Sequence, residues 1–142
     1  MTPHFLPRSA FLALTLTFGT TQAVTCIPPK SMAQGRLPAS PLLKYDCAAT
    51  QDLKKAYSTS KVKPNWVEVY RGPMNKASSA LVARLFTVLK KEGFKVEVDA
   101  SDPDLKGFTF KKGKLVLGGS LIVAQLISTD TPGELVFALV GR

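Results

Sequence analysis

Few residues in this chain are equipped for chemistry, and the first two are Cys26 and Cys47. Thiolates act as nucleophiles and metal ligands, and a disulfide removes both roles. The stretch FLALTLTFGTTQAVTC, Phe11 to Cys26, bears on which state they occupy. Arg8 precedes an apolar run from Ala10 to Phe18, and the small residues Thr21 and Ala23 follow it. The run is shorter than the roughly 20 residues a membrane-spanning helix needs. A basic start, a short apolar middle and a small-x-small end predict a signal peptide over residues 1–23, cleaved after Ala23. Pro3, Pro7 and Gly19 around the run count against an N-terminal core helix. Two cysteines in an exported chain read as a disulfide. Joining Cys26 to Cys47 closes a loop of about 20 residues, worth roughly 3 kcal/mol in the chain-entropy account. Lipid attachment at Cys26 ranks second, because Ala23 and Thr25 stand where a lipoprotein signal has Leu and then Gly, Ala or Ser. Free thiols rank last.

The only histidine, His4, lies in the expected leader, so the mature chain from Val24 to Arg142 holds none. That excludes Ser-His-Asp and Cys-His nucleophiles, histidine acid–base work and the common zinc sites. Carboxylates, lysines, tyrosines and serines remain. Glu68 and Glu97, expected on neighbouring strands, could pair as in a glycosidase, or simply stand on solvent-facing strand surfaces. The stretch DASDPD gathers Asp99, Asp102 and Asp104, oxygen ligands of the kind Ca²⁺ takes. Its spacing is not that of an EF-hand, and Asp and Pro together read as an ordinary turn. No local motif supports Ser-Lys chemistry. The expectation is a non-enzyme without metal or cofactor, with a carboxylate-based hydrolase of wall polysaccharide as a further alternative.

Binding has more material. Lys and Arg number 19 against 10 Asp and Glu, and loss of Arg8 leaves 18. Residues 24–63 carry seven basic residues against two acids. In KKAYSTSKVKPNW, Lys54, Lys55, Lys61 and Lys63 are interleaved with Tyr57 and Trp66, as in proteins that hold single strands by charge and stacking. The competing reading is a solvated linker with Trp66 in the core. In KGFTFKKGK, Lys111, Lys112 and Lys114, with Lys106, mark a hairpin, where lysines also discourage edge-to-edge aggregation. Phe108 and Phe110 share one face there, either core or stacking platform. Such a surface suits an anionic polymer, nucleic acid or acidic wall polymer. A protein-interaction module using an apolar sheet face or edge, or a homodimer, is the alternative.

These residues need elements to position them. Residues 24–63 read as a basic, Pro-rich arm with four prolines in IPPKSMAQGRLPASPLLK and a short helix capped by Thr50, buried through Leu53 and Ala56 or Tyr57. Residues 64–142 read as the folded domain. NWVEVYRG alternates as a strand, with Trp66, Glu68 and Tyr70 on one face and Val67 and Val69 on the other. Asn75 caps a helix whose stripe is Ala77, Leu81, Leu85, Val88 and Leu89, closed by Gly93. FKVEVD, with Phe94, Val96 and Val98 inward, completes a β-α-β unit. GFTF and LVL predict a hairpin turning at Gly113, and SLIVAQLI and ELVFALVG predict apolar strands around STDTPG. The fold class is α+β: one domain, a mixed sheet of about six strands and one main helix on one face. The arm and short helix, or another subunit, must cover the other face.

The stretch WVEVYRGPMNKASSALVARLFTVLKKEGFKVEV, residues 66–98, resembles the first β-α-β of a SPOR domain. The resemblance implies an envelope module that binds glycan strands of peptidoglycan. Where that family has a second helix, LVLGGSLIVAQLI reads as strand, and no binding residue is carried over.

Overall fold

Chain order in the computed structural model, which describes residues 26–61 and 63–142, starts with β1 (Ser31–Met32), β2 (Leu37–Pro38) and β3 (Lys44–Tyr45). Helix α1 (Cys47–Ser58), β4 (Trp66–Pro73), α2 (Lys76–Lys91) and β5 (Lys95–Asp102) follow. Then come β6 (Leu105–Lys112), a 3-10 turn (Leu115–Leu117), β7 (Ser120–Ser128) and β8 (Glu134–Gly141). The expected leader, residues 1–23, lies outside the described residues.

The class is α+β in one domain, and the main sheet has six strands in the order β3-β4-β8-β7-β6-β5. Every neighbouring pair is antiparallel, so the sheet is not mixed. β4 and β5 run in the same direction, as a strand–helix–strand unit requires, yet three strands separate them. Long apolar strand pairings fill that gap: β8 pairs with β4 over eight residues and β7 with β8 over seven. The apolar triplet 115–117 is not the sixth strand. That place falls to β3, from the arm, which pairs Lys44 with Arg71 and Tyr45 with Tyr70.

Helix α2 forms as its sequence predicts. The Asn75 side chain accepts from the Ser78 N–H at 3.0 Å, and the Ser78 hydroxyl accepts from the Asn75 N–H, a reciprocal cap. Val82, Leu85 and Leu89 are buried, while Ala77 is exposed. At the far end Gly93 takes φ 99° and the Phe94 N–H donates to Leu89 O at 3.0 Å, so Phe94 folds back into the core. Val98, expected inward, is 62% exposed on edge strand β5.

Both faces of the sheet are covered, by different parts of the chain. The α2 face buries Tyr70, Phe110, Ile122, Phe137 and Leu139 with the helix, and the arm adds Met32, Ala33, Leu37 and Leu43 to this same core. Met32, Ala33, Leu37 and Leu43 of the arm thus share one core with α2 and the sheet. The opposite face buries Val67, Val69, Val136 and Ala138 under Ala49 and Leu53 of α1. Gly72 permits the arm to cross closely, since a Cβ there would sit 2.2 Å from Leu42 O.

Asp46, one turn earlier than the expected Thr50, caps α1 by accepting from the Ala49 N–H at 2.9 Å. Thr50 is fully buried instead. Its hydroxyl donates to Asp46 O at 2.7 Å and accepts from the Val69 N–H at 3.1 Å, tying helix to strand. Cys26 and Cys47 are disulfide-bonded, with Cα atoms 6.0 Å apart, which fixes the start of the arm to the first residue of α1.

Candidate functional site

Antiparallel pairing brings alternate strand starts and strand ends to one edge of the molecule. The Asn65 N–H donates to Gly141 O at 2.8 Å, and Arg142 and Leu121 exchange both backbone bonds at 2.8 and 2.6 Å. Leu121 pairs with Lys111, and Lys111 with Lys95. Lys112 and Lys114 continue past this row, Lys63 precedes it, and α2 ends beside it with Lys90 and Lys91. Lys112 bridges the two groups: its ammonium lies 5.8 Å from the Phe94 ring centre, and its chain passes Gly93. Aromatic faces attract such cations.

Lys54, Lys63, Tyr57 and Trp66 line a hollow of about 270 Å³ on the α1 face. A smaller hollow of about 140 Å³ adjoins it, lined by Tyr57, Pro64, Leu121, Val123 and Arg142 among others. Two of the lysine groups named from sequence thus share one end of the fold. Lys55 and Lys61 are exposed and line neither hollow. Of the aromatic residues, Trp66 is half-buried against the main core, and its indole occupies the space a Cβ on Gly141 would need. Phe108 and Phe110 pack on Phe86 at 4.5 and 5.1 Å between ring centres, so their shared face is the core face. Tyr57 remains the aromatic residue common to both basic hollows.

Acids collect at the opposite end of the strands. Asp99, Asp102 and Asp104 lie around the β5–β6 turn, Asp130 in the β7–β8 turn, and Glu134 at the start of β8. Asp99 accepts from the Ser101 hydroxyl and N–H at 2.8 and 3.1 Å, which hold its carboxyl below the usual range. Asp102 accepts from the Asp104 N–H at 2.8 Å. These are turn contacts. Among the described residues no three His, Cys, Asp or Glu side chains gather to hold a metal ion.

Glu68 and Glu97 do not form a pair, because β8, β7 and β6 lie between their strands. Glu97 is exposed and contacts Lys111 at 3.5 Å. Glu68, expected on a solvent-facing surface, is 4% exposed under the arm. It accepts from the Ala33 N–H at 2.6 Å and more loosely from Gln34 at 3.5 Å, and burial pushes its carboxyl up. Arg71 joins Asp46 and Glu134, the latter at 3.0 Å, and its hydrogen bond to Asp46 raises its own pKa.

Three participants escaped the sequence reading: Lys95, Arg142 and the tip Leu115–Leu117. The readable signal was the recurrence of Lys or Arg at strand termini, together with an apolar triplet bracketed by Gly113, Gly118 and Gly119. No described helix is long and apolar enough to cross a membrane. No family model, curated protein or solved structure matches this chain.

Proposed function

We propose that the chain is an exported, non-enzymatic protein of the cell envelope or extracellular space that binds an anionic polymer, nucleic acid or acidic wall polymer. The observation supporting this reading is the convergence of Lys54, Lys63, Lys111, Lys112, Lys114 and Arg142 on one end of the sheet. Ammonium groups set around a hollow offer repeated contacts to a chain of phosphates or carboxylates, and Tyr57 offers a ring for stacking. The disulfide suits an oxidising compartment.

Retention on polyphosphate and on single-stranded DNA, measured across salt concentration, tests the proposal. Wild-type retention falls steeply with salt, because each lysine contact releases counterions. The variant carrying Lys54→Gln, Lys55→Gln, Lys61→Gln and Lys63→Gln keeps its circular dichroism spectrum and loses retention. Unchanged retention in that variant, or none in wild type at low salt, removes the proposal. A second reading, a protein-interaction module, draws on the outer edge of β5 and its exposed Val98. It calls for binding that is insensitive to salt.

A further inference from the structure

Leu115, Val116 and Leu117 stand 41, 89 and 81% exposed at the lysine end of the sheet. They form a single 3-10 turn between Gly113 and Gly118, whose φ values of 73° and 89° let the chain double back tightly. Three of the loop's N–H groups are bonded within it. The N–H groups of Leu117 and Gly119 donate to Lys114 O at 2.9 Å, and that of Gly118 donates to Leu115 O at 3.1 Å. Gly119 closes the return, since a Cβ there would fall 2.6 Å from Lys112 O. Hydrocarbon points outward and these amides point inward.

Around this tip stand Lys112 and Lys114 on the same loop and strand, Lys95 and Lys111 beside them, and Lys90 and Lys91 at the end of α2. Among the described residues, only Lys111 of these six is paired with a carboxylate. A soluble anionic polymer accounts for the lysines but gives three adjacent aliphatic side chains no reason to stand in water. A bilayer with anionic headgroups accounts for both. Ammonium groups meet phosphates while their stems and the aliphatic tip pass below them. Entry into hydrocarbon also demands that backbone groups be bonded internally, as several are here.

We infer that the 115–117 tip seats this end of the protein on an anionic lipid surface. The inference rests on reading the lysine end as an anion-binding surface and goes beyond it by naming a bilayer as the partner of the tip. Co-sedimentation with phosphatidylcholine vesicles, with and without phosphatidylglycerol, tests it, alongside retention on polyphosphate. Wild type pellets with the phosphatidylglycerol vesicles and not with pure phosphatidylcholine. The variant Val116→Ser, Leu117→Ser, altered only at exposed positions, loses vesicle affinity by about tenfold or more while its polyphosphate retention is unchanged. Lys112→Gln with Lys114→Gln weakens both. Vesicle binding unaltered by the two serines overturns the tip and leaves the basic end standing. Polyphosphate retention without vesicle binding does the same, and failure to bind either probe overturns both readings.

Discussion

The Glu68 carboxylate receives the backbone N–H of Ala33 at 2.6 Å, across 35 residues of chain. Ala33 and Gln34 both have positive φ, 53° and 55°, so successive N–H groups turn toward one acceptor. Such a concavity is a backbone anion site. Burial raises the Glu68 pKa above its ordinary 4.5. At pH values between the ordinary and the raised pKa, the folded protein therefore holds a proton that the unfolded chain has released. This contribution to stability is full below the ordinary carboxylate pKa and is lost as pH rises through the raised one.

Thermal melts should accordingly show Tm falling from mildly acidic toward neutral pH, and Glu68→Gln should flatten that slope. Glu68→Ala, which strands the Ala33 N–H, should cost about 2–4 kcal/mol and loosen the arm. A slope identical in Glu68→Gln and wild type would show that another group sets it.

Asp46 titrates with the opposite sign. The Ala49 N–H and then Arg71 hold its carboxyl below 3.8. Stability from this group is present above the unfolded pKa and is lost as pH falls through the folded one. Asp46→Ala removes both the cap of α1 and one partner of Arg71, and should cost about 1–2 kcal/mol in urea unfolding. Its acid limb should be shallower than that of wild type.

The double variant Cys26→Ser, Cys47→Ser should lose about 3 kcal/mol of stability, the worth of closing a loop of this length. It should keep the β-rich core, which α2 and the arm hold through residues remote from either sulfur. Thiol titration of denatured, unreduced wild type should find no free thiol. Two free thiols per chain would refute the bond.

Glycines divide sharply by surroundings. A Cβ on Gly141 would sit 2.0–2.2 Å from the Trp66 indole, and one on Gly72 would sit 2.2 Å from Leu42 O. Gly141→Ala and Gly72→Ala should each cost about 1–3 kcal/mol or more through overpacking. Gly107→Ala, with its nearest atom at 3.8 Å, should be close to neutral. Equal melting temperatures for the three variants would contradict the close approaches.

Period alone made much of this legible. Alternation in residues 66–70 predicts the two faces of β4, and the helical stripe with Asn75 and Gly93 predicts α2 from cap to cap. Alternation says which residues share a face but not which strand lies next, so an all-antiparallel order with β4 and β5 far apart had no local sign. Leu115–Leu117 is too short to carry a period, and the three nearby glycines proved the better guide to its conformation. Glu68 looked like a surface carboxylate because its partners are backbone N–H groups of the arm, which no residue type announces. The lysines were visible as two segments. Their meeting depends on β4 and β6 running oppositely, which puts the start of one and the end of the other at the same end of the sheet, with β8 and β7 between them.

Lysines predominate at one end of the strands, and the turn carrying Asp99, Asp102 and Asp104 stands at the other. Lys44, Arg71 and Lys106 partly offset the acids there, as Glu92 and Glu97 do the lysines, so charge is unevenly distributed along the strands. An eight-residue strand places its two ends about 25 Å apart, beyond the Debye length of about 10 Å at 0.1 M salt. At such ionic strength an approaching anionic surface is felt by the lysine end while the Asp102–Asp104 turn remains screened from it. In dilute salt the field reaches both ends at once and exerts a torque, repelling one and drawing in the other. The protein then arrives already oriented, so lowering the salt should raise the fraction of collisions that lead to capture as well as the strength of the final contact.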